Sequence, residues 1–355
     1  MKLGLIGLPQ TGKRTLFGLL TGAPAAAADH KKPIPGQADI RDSRFFELAK
    51  LYRPKKETPA RIDLELIPGI DPAAIKEGGI FRAMSELDAV CHVVRAFEDD
   101  TVFHASGSID PERDIESVNS ELVLHDLIFI EKRLERIGKD SKKRDPKEIR
   151  AEESLLARFR EHLEGGSHLR TLTLGQEEAK IIKSYPFITM KRMLVVLNVS
   201  DGMISSRELT ERISKKYAQL DLDVMQVSAR LESEIAGLES ETERNEFMKE
   251  AGINEPALNL LTSLAMKSLG LISFFTVGKD EVKQWPVRMG STAPEAGSAI
   301  HSDIQRGFIR AEVIKYGDLI ELGDEDRVKT SGRLMLAGKD YIVEDGDVIS
   351  FRFNV

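Results

Sequence analysis

The sequence predicts an α/β protein: a P-loop nucleotide-binding domain with an inserted antiparallel helical hairpin (a coiled coil), followed by a small α+β domain. Three observations predict it. An apolar first strand ends in a glycine loop with a lysine that opens a helix. Two stretches between residues 126 and 166 carry apolar residues at steps of three and four. From about residue 274 the pattern changes to short alternating strands and turns. The expected boundaries are 1–125 with 185–272 for the nucleotide domain, 126–184 for the hairpin insertion and 273–355 for the C-terminal domain.

The first strand runs into Gly7-Leu8-Pro9-Gln10-Thr11-Gly12-Lys13-Arg14-Thr15. The glycines keep side chains away, so backbone N–H groups can converge on one anion, and the following helix adds its positive dipole end. The backbone of Gly7, Leu8, Pro9, Gln10, Thr11 and Gly12 is expected to wrap the phosphates. Lys13 reaches the outer phosphates and Thr15 an inner one. In this motif the residue after the lysine is Ser or Thr, whose hydroxyl ligates magnesium. Here it is Arg14.

A chain of 355 residues with 41% hydrophobic content has room for two or three cores. No apolar stretch is long enough to span a membrane, and no basic leader precedes the first strand. Cys91 is the one cysteine, which excludes an internal disulfide framework and fits a reducing cytoplasm. It lies in an apolar run and is expected in the core. A net charge of −7 gives no overall pull toward nucleic acid, so any RNA contact needs a local basic patch.

Residues 23–36 combine Pro, Gly and charge and read as a mobile loop. A nucleotide switch closes a threonine over magnesium here. No Ser or Thr occurs between Gly22 and Asp42. Residues 61–66 are the next strand, running into Ile67-Pro68-Gly69. A P-loop NTPase places its metal-linked Asp three residues before that glycine; here the position is Leu66. Asp63 and Glu65 alternate to the other face. Ile70 follows the glycine, where Ras-like GTPases carry the water-orienting Gln.

Residues 89–94 form a buried strand. In the hairpin, Leu127, Ile130, Leu134 and Ile137 give one apolar stripe, and Ile149, Leu156, Phe159 and Leu163 the other, across a charged turn at 139–146. From Glu131 to Arg150 nine Lys/Arg face five Asp/Glu. That basic tip reads either as a solvated helix end or as a binding patch.

The strand at 193–199 ends in Asn198-Val199-Ser200-Asp201. This Asn-x-x-Asp spacing is a base reader: the Asp accepts from guanine N–H groups and the Asn orients the loop. Val199 stands where a lysine would stack on the base. Ser228 and Ala229 follow the next strand, beside the base. In the C-terminal domain Ile300 to Ile304 and the residues on both sides of Asp345-Gly346 read as strands, the latter a hairpin. His301 reads as a turn or packing residue.

These residues resemble the Obg-like ATPase (YchF) family over nearly the whole chain. The match rests on Gly7-Leu8-Pro9 with Gly12-Lys13, on Asp88-Ala89-Val90 through Phe97-Glu98-Asp99, on Tyr185-Pro186-Phe187, on Gly307-Phe308-Ile309-Arg310-Ala311-Glu312-Val313 and on the terminal Phe351-Arg352-Phe353-Asn354-Val355. The resemblance implies a Ras-like domain and a C-terminal TGS domain with a β-grasp fold. It also implies ATP hydrolysis in preference to GTP, with magnesium, and a role in translation or stress. The implied partner is the ribosome, through its large subunit or rRNA, in the groove between hairpin and TGS domain; a cytoplasmic monomer without membrane contact is expected. The family's base motif usually ends in Glu, so Asp201 leaves adenine and guanine both open.

Arg14, the missing threonine and Leu66 all fall around one ion. They predict a changed magnesium site and slow turnover, with Arg14 supplying part of the missing charge. No general base is identifiable from sequence. Two readings of function therefore stand: a weak nucleotide-driven hydrolase at the ribosome, and a non-hydrolysing ribosome- or RNA-binding adaptor. From Val277 to Val355 eleven Lys/Arg face fourteen Asp/Glu, so the C-terminal contacts are expected to be to protein.

Overall fold

A computed structural model describes residues 1–23, 32–140, 145–251, 253 and 255–354. The centre of the expected mobile loop (24–31) and the middle of the hairpin turn (141–144) lie outside the described residues. By internal contacts the chain divides into one unit of residues 1–36 and 63–257 and another of 37–62 and 258–355.

The first unit is built on β1 (Lys2–Ile6), β2 (Ile34–Asp39), β4 (Arg61–Leu66), β5 (Ala89–Ala96), β6 (Arg192–Val199) and β7 (Leu222–Val227), the short β3 (Lys56–Thr58) belonging elsewhere. Their order is β2-β4-β1-β5-β6-β7, and β1 pairs in parallel with both β4 and β5. Strands β5 and β6 read as continuous apolar runs because helices cover both faces of such a sheet. One core joins Ile6, Val90, Val94, Leu197 and Val199 to helix residues such as Met84, Ile115 and Leu122. Cys91 lies in the core, and burial pushes its thiol up to about 12.

The hairpin is present, and its first helix is longer than the apolar steps suggest: Pro111–Asp140, against Pro146–Glu164 for the second. The start is fixed by Asp110, whose carboxylate accepts from the Arg113 N–H, with Glu112 and Asp114 in the first turn. Ile115, Val118 and Leu122 continue the helical period, but they pack on the sheet core rather than on the hairpin. The hairpin has a core of its own, with Ile130, Ile137, Leu156 and Phe159 packed together with Phe187.

The second unit holds β8 (Leu271–Thr276), β9 (Glu281–Arg288), β10 (Phe308–Lys315), β11 (Met335–Ala337) and β12 (Asp347–Phe353). The order β11-β10-β12-β8-β9 puts the parallel pair β8 and β12 at the centre, the arrangement of a β-grasp, and β3 extends it beside β9. Residues 37–62, expected within the nucleotide domain, supply that added strand and the helix Ser43–Tyr52, whose Phe45 and Leu48 share a core with Phe275, Val282 and Val348. Arg44 fastens this segment: its guanidinium donates to Asp42 and to Asp345.

Two expected strands are corrected. Ile300 to Ile304 is not a strand but the junction of two helices, Ala293–Ile300 and Ser302–Arg306. His301 is extended and breaks the helical run between them, so Ile300 ends one helix and Ile304 lies in the next. The Thr292–Glu295 capping box decides for helix, and His301 is the turn residue between: its Nδ1 accepts from the Asp303 N–H. The second correction concerns residues 340–344, which form no strand before the Asp345-Gly346 turn; only Ile342 makes an isolated bridge, to Thr292.

Candidate functional site

The C-terminal ends of β1, β4, β5 and β6 converge on a cleft of about 810 Å³. Ligands bind open α/β sheets at this edge. Pro9, Gln10, Thr11, Gly12, Lys13, Arg14 and Thr15 line it from the glycine loop; Leu66, Asn198, Val199, Asp201 and Ala229 line it from the other strands. Of the residues expected at the site, Gly7, Leu8 and Ser228 stand behind this lining.

The loop geometry explains its glycines. Gly7 has φ 141° and Gly12 φ 87°, where side chains are strained. A Cβ on Gly12 would fall 2.2 Å from Asn198 Nδ2. Gly12 caps the helix Lys13–Thr21, whose first turn faces the cleft. Lys13 is buried, and its Nζ donates to the carbonyls of Gly7 and Leu8 at 2.7 and 2.6 Å, closing the loop into a ring. Burial first, then the Arg14 charge, lowers Lys13 to about 7, against an opposing pull from Asp71. Beneath it, His92 is buried and held near 3 by burial and by Lys13, so its imidazole is neutral.

Asn198 is buried and serves as a tie. Its Nδ2 donates to the Thr11 carbonyl at 3.1 Å and its Oδ1 accepts from the Ala229 N–H at 3.0 Å. One side chain thereby fixes the glycine loop against the start of the helix that follows β7. Asp201 accepts from the Ser228 hydroxyl at 2.5 Å, and its other oxygen lies 3.4 Å from Arg230 Nε. The four residues expected around the base are thus brought together.

Other groups in the cleft carry little signal in sequence. Lys32, Phe97, Glu98, Thr101, Val102 and Arg230 all line it. Asp71 lines it too, whereas Glu65 turns away to Lys2. The wall from Phe97 to Phe103 is held by Arg95. This buried guanidinium donates to the carbonyls of Phe97, Asp99, Val102 and Phe103 and stacks 4.5 Å from the Phe97 ring. Arg95→Met removes the buried donor that gathers those four carbonyls. It is expected to destabilise the first unit by about 2–4 kcal/mol in urea unfolding; a change below about 0.5 kcal/mol would show that the wall holds itself.

The donor set fits a nucleotide polyphosphate: amides, a helix N-terminus and a lysine face one cleft. It does not fit magnesium in the usual way. The hydroxyl position is Arg14, and the carboxylate position is Leu66, buried at 3% exposure. Among the described residues no three His, Cys, Asp or Glu side chains cluster as a metal site.

With this geometry in view, comparison with known proteins decides the family. The chain is 40% identical to the "Ribosome-binding ATPase YchF" of Bacillus subtilis, covering 99% of each chain. The chain belongs to the YchF/Obg-like ATPase family. "Obg-like ATPase 1" of Caenorhabditis elegans is 35% identical over all of this chain and 92% of its own. The YchF-GTPase_C family model, described as a protein of unknown function (DUF933), matches residues 271–354. A solved structure of the YchF GTPase of Schizosaccharomyces pombe superposes with TM-score 0.82 at 27% identity, covering 99% of this chain and 97% of that one.

Proposed function

We propose that this chain binds a purine nucleotide, ATP or GTP, in the cleft and associates in the cytoplasm with the ribosome, at its large subunit or rRNA. The carrying observation is Lys13, closed over the Gly7 and Leu8 carbonyls at the mouth of a helix and ready to exchange them for phosphate oxygens. In this reading the backbone of residues 7–12 wraps the phosphates and Thr15 serves an inner one. Asn198 sets the distance to the base, and Asp201, Ser228 and Ala229 meet it. Ribosome association is carried over from relatives named for it. The functional division into a nucleotide domain (1–125 and 185–272), a hairpin (126–184) and a TGS domain (273–355) belongs to the same proposal.

A second reading, an adaptor that holds nucleotide without hydrolysing it, is favoured by Leu66. A buried hydrocarbon cannot anchor the ion that neutralises charge in phosphoryl transfer. Sedimentation with ribosomes, without nucleotide and with ATP or GTP, tests both. Pelleting that changes with nucleotide, together with slow turnover, is expected. Pelleting in every state without turnover supports the adaptor, and no pelleting in any state ends the ribosome assignment.

A further inference from the structure

We propose that the cleft takes the polyphosphate of ATP or GTP without magnesium, the Arg14 guanidinium standing in for the ion. This rests on the nucleotide reading above. In P-loop proteins magnesium bridges the outer phosphates from two protein anchors, a hydroxyl beside the lysine and a carboxylate at the end of a strand. Both anchors are replaced here, and in opposite senses.

At the first anchor a permanent cation occupies the place of a metal ligand. Arg14 lines the cleft one residue after Lys13. A divalent cation placed there meets guanidinium repulsion instead of an oxygen. The next hydroxyl, Thr15, is a residue further along the helix, about 100° round its axis. At the second anchor Leu66 lines the cleft with its neighbours Ile67 and Pro68. Hydrocarbon there offers no ligand and raises the cost of stripping water from an ion.

The same replacements suit a bare polyphosphate. A guanidinium presents a planar fork that matches two phosphate oxygens and remains charged at any working pH. With Lys13 and Lys32 it gives the loop end three cationic side chains. Four carboxylates also line the cleft, Asp71, Glu98, Asp99 and Asp201; Asp201 is bound by Ser228 and faces Arg230, and Asp99 caps Thr101. Asp71 is the acidic group felt at Lys13. Lys13, Arg14 and Lys32 thus stand together along the cleft, where a metal-free polyphosphate would meet them.

The test is titration of fluorescent ATP and GTP analogues into the full chain, in magnesium and in EDTA, for the wild type, Arg14→Ser and Arg14→Lys. The wild-type Kd is expected to change less than about threefold between the two buffers, and Arg14→Ser to weaken binding in EDTA by about tenfold or more, with Arg14→Lys between. A wild-type affinity that falls about tenfold or more in EDTA overturns the proposal, with Asp71 then the first candidate ligand. An Arg14→Ser chain that binds as the wild type does in EDTA also overturns it. If neither analogue saturates the wild type in either buffer, the nucleotide reading itself fails; binding only with magnesium sinks this inference and leaves that reading standing.

Discussion

Lys13→Ala is expected to lower affinity for ATP and GTP by about 100-fold or more, because it removes a buried, charge-assisted contact to phosphate from a low-dielectric site. Calorimetric titration of the wild type and the variant measures the loss; a Kd within a factor of about three of the wild type would remove the phosphate assignment. Residues 37–62 and 258–355 have cores of their own, so the second unit should keep its unfolding transition in the variant.

The same lysine gives the ligand-free protein a pH signature. Its folded value is near 7 against 10.5 when unfolded, with burial the main cause. Between those values the unfolded chain binds more protons than the folded one, so stability rises with pH through that window. Below about 7 the buried charge is present in both states and that contribution is absent. Lys13→Ala should flatten this part of the profile. A slope that persists unchanged in thermal melts between those pH values would assign it to other groups.

Gly7→Ala has the second large expected effect, on folding. Gly7 sits at φ 141°, and an added Cβ would fall 2.4 Å from the main-chain carbonyl of Val93. That obstacle is backbone inside the central sheet, so no rotamer change relieves it. Strain and clash together should cost about 3–5 kcal/mol, seen as a fall of the first unit's denaturation midpoint. A midpoint close to the wild type would mean that β1 and β5 can separate, contrary to their parallel register. Gly12→Ala meets a side chain, Asn198 Nδ2, and is expected to weaken nucleotide binding more than folding.

Much of the site was legible because its signal is local. Gly7, Gly12 and Lys13 are close in sequence, and the backbone geometry they permit follows from residue type alone. Asn198 with Asp201 and Ser228 with Ala229 likewise lie at the ends of strands readable as apolar runs. The replacements at Arg14 and Leu66 were visible once the motif was placed.

Other features left weaker traces. The hairpin's first helix begins at Pro111 although its apolar steps were traced from Leu127, because Ile115, Val118 and Leu122 keep the helical period while serving a different core. A longer window would have found it. Ile300 and Ile304 misled in the opposite way: their alternation fits one strand, but they belong to two helices separated at His301.

The sequence by itself determined the α/β class, the glycine loop, the hairpin and the small C-terminal domain, because each rests on periodicity or on residue type over short spans. Only the tertiary structure decided that residues 37–62 join the C-terminal unit, that Asn198 ties Thr11 to Ala229, and that Arg95 holds the cleft wall. The reason is physical. Those links are made to backbone carbonyls and amides, which every residue carries, or to hydrophobic partners distant in the chain. Their specificity lies in three-dimensional placement rather than in side-chain identity.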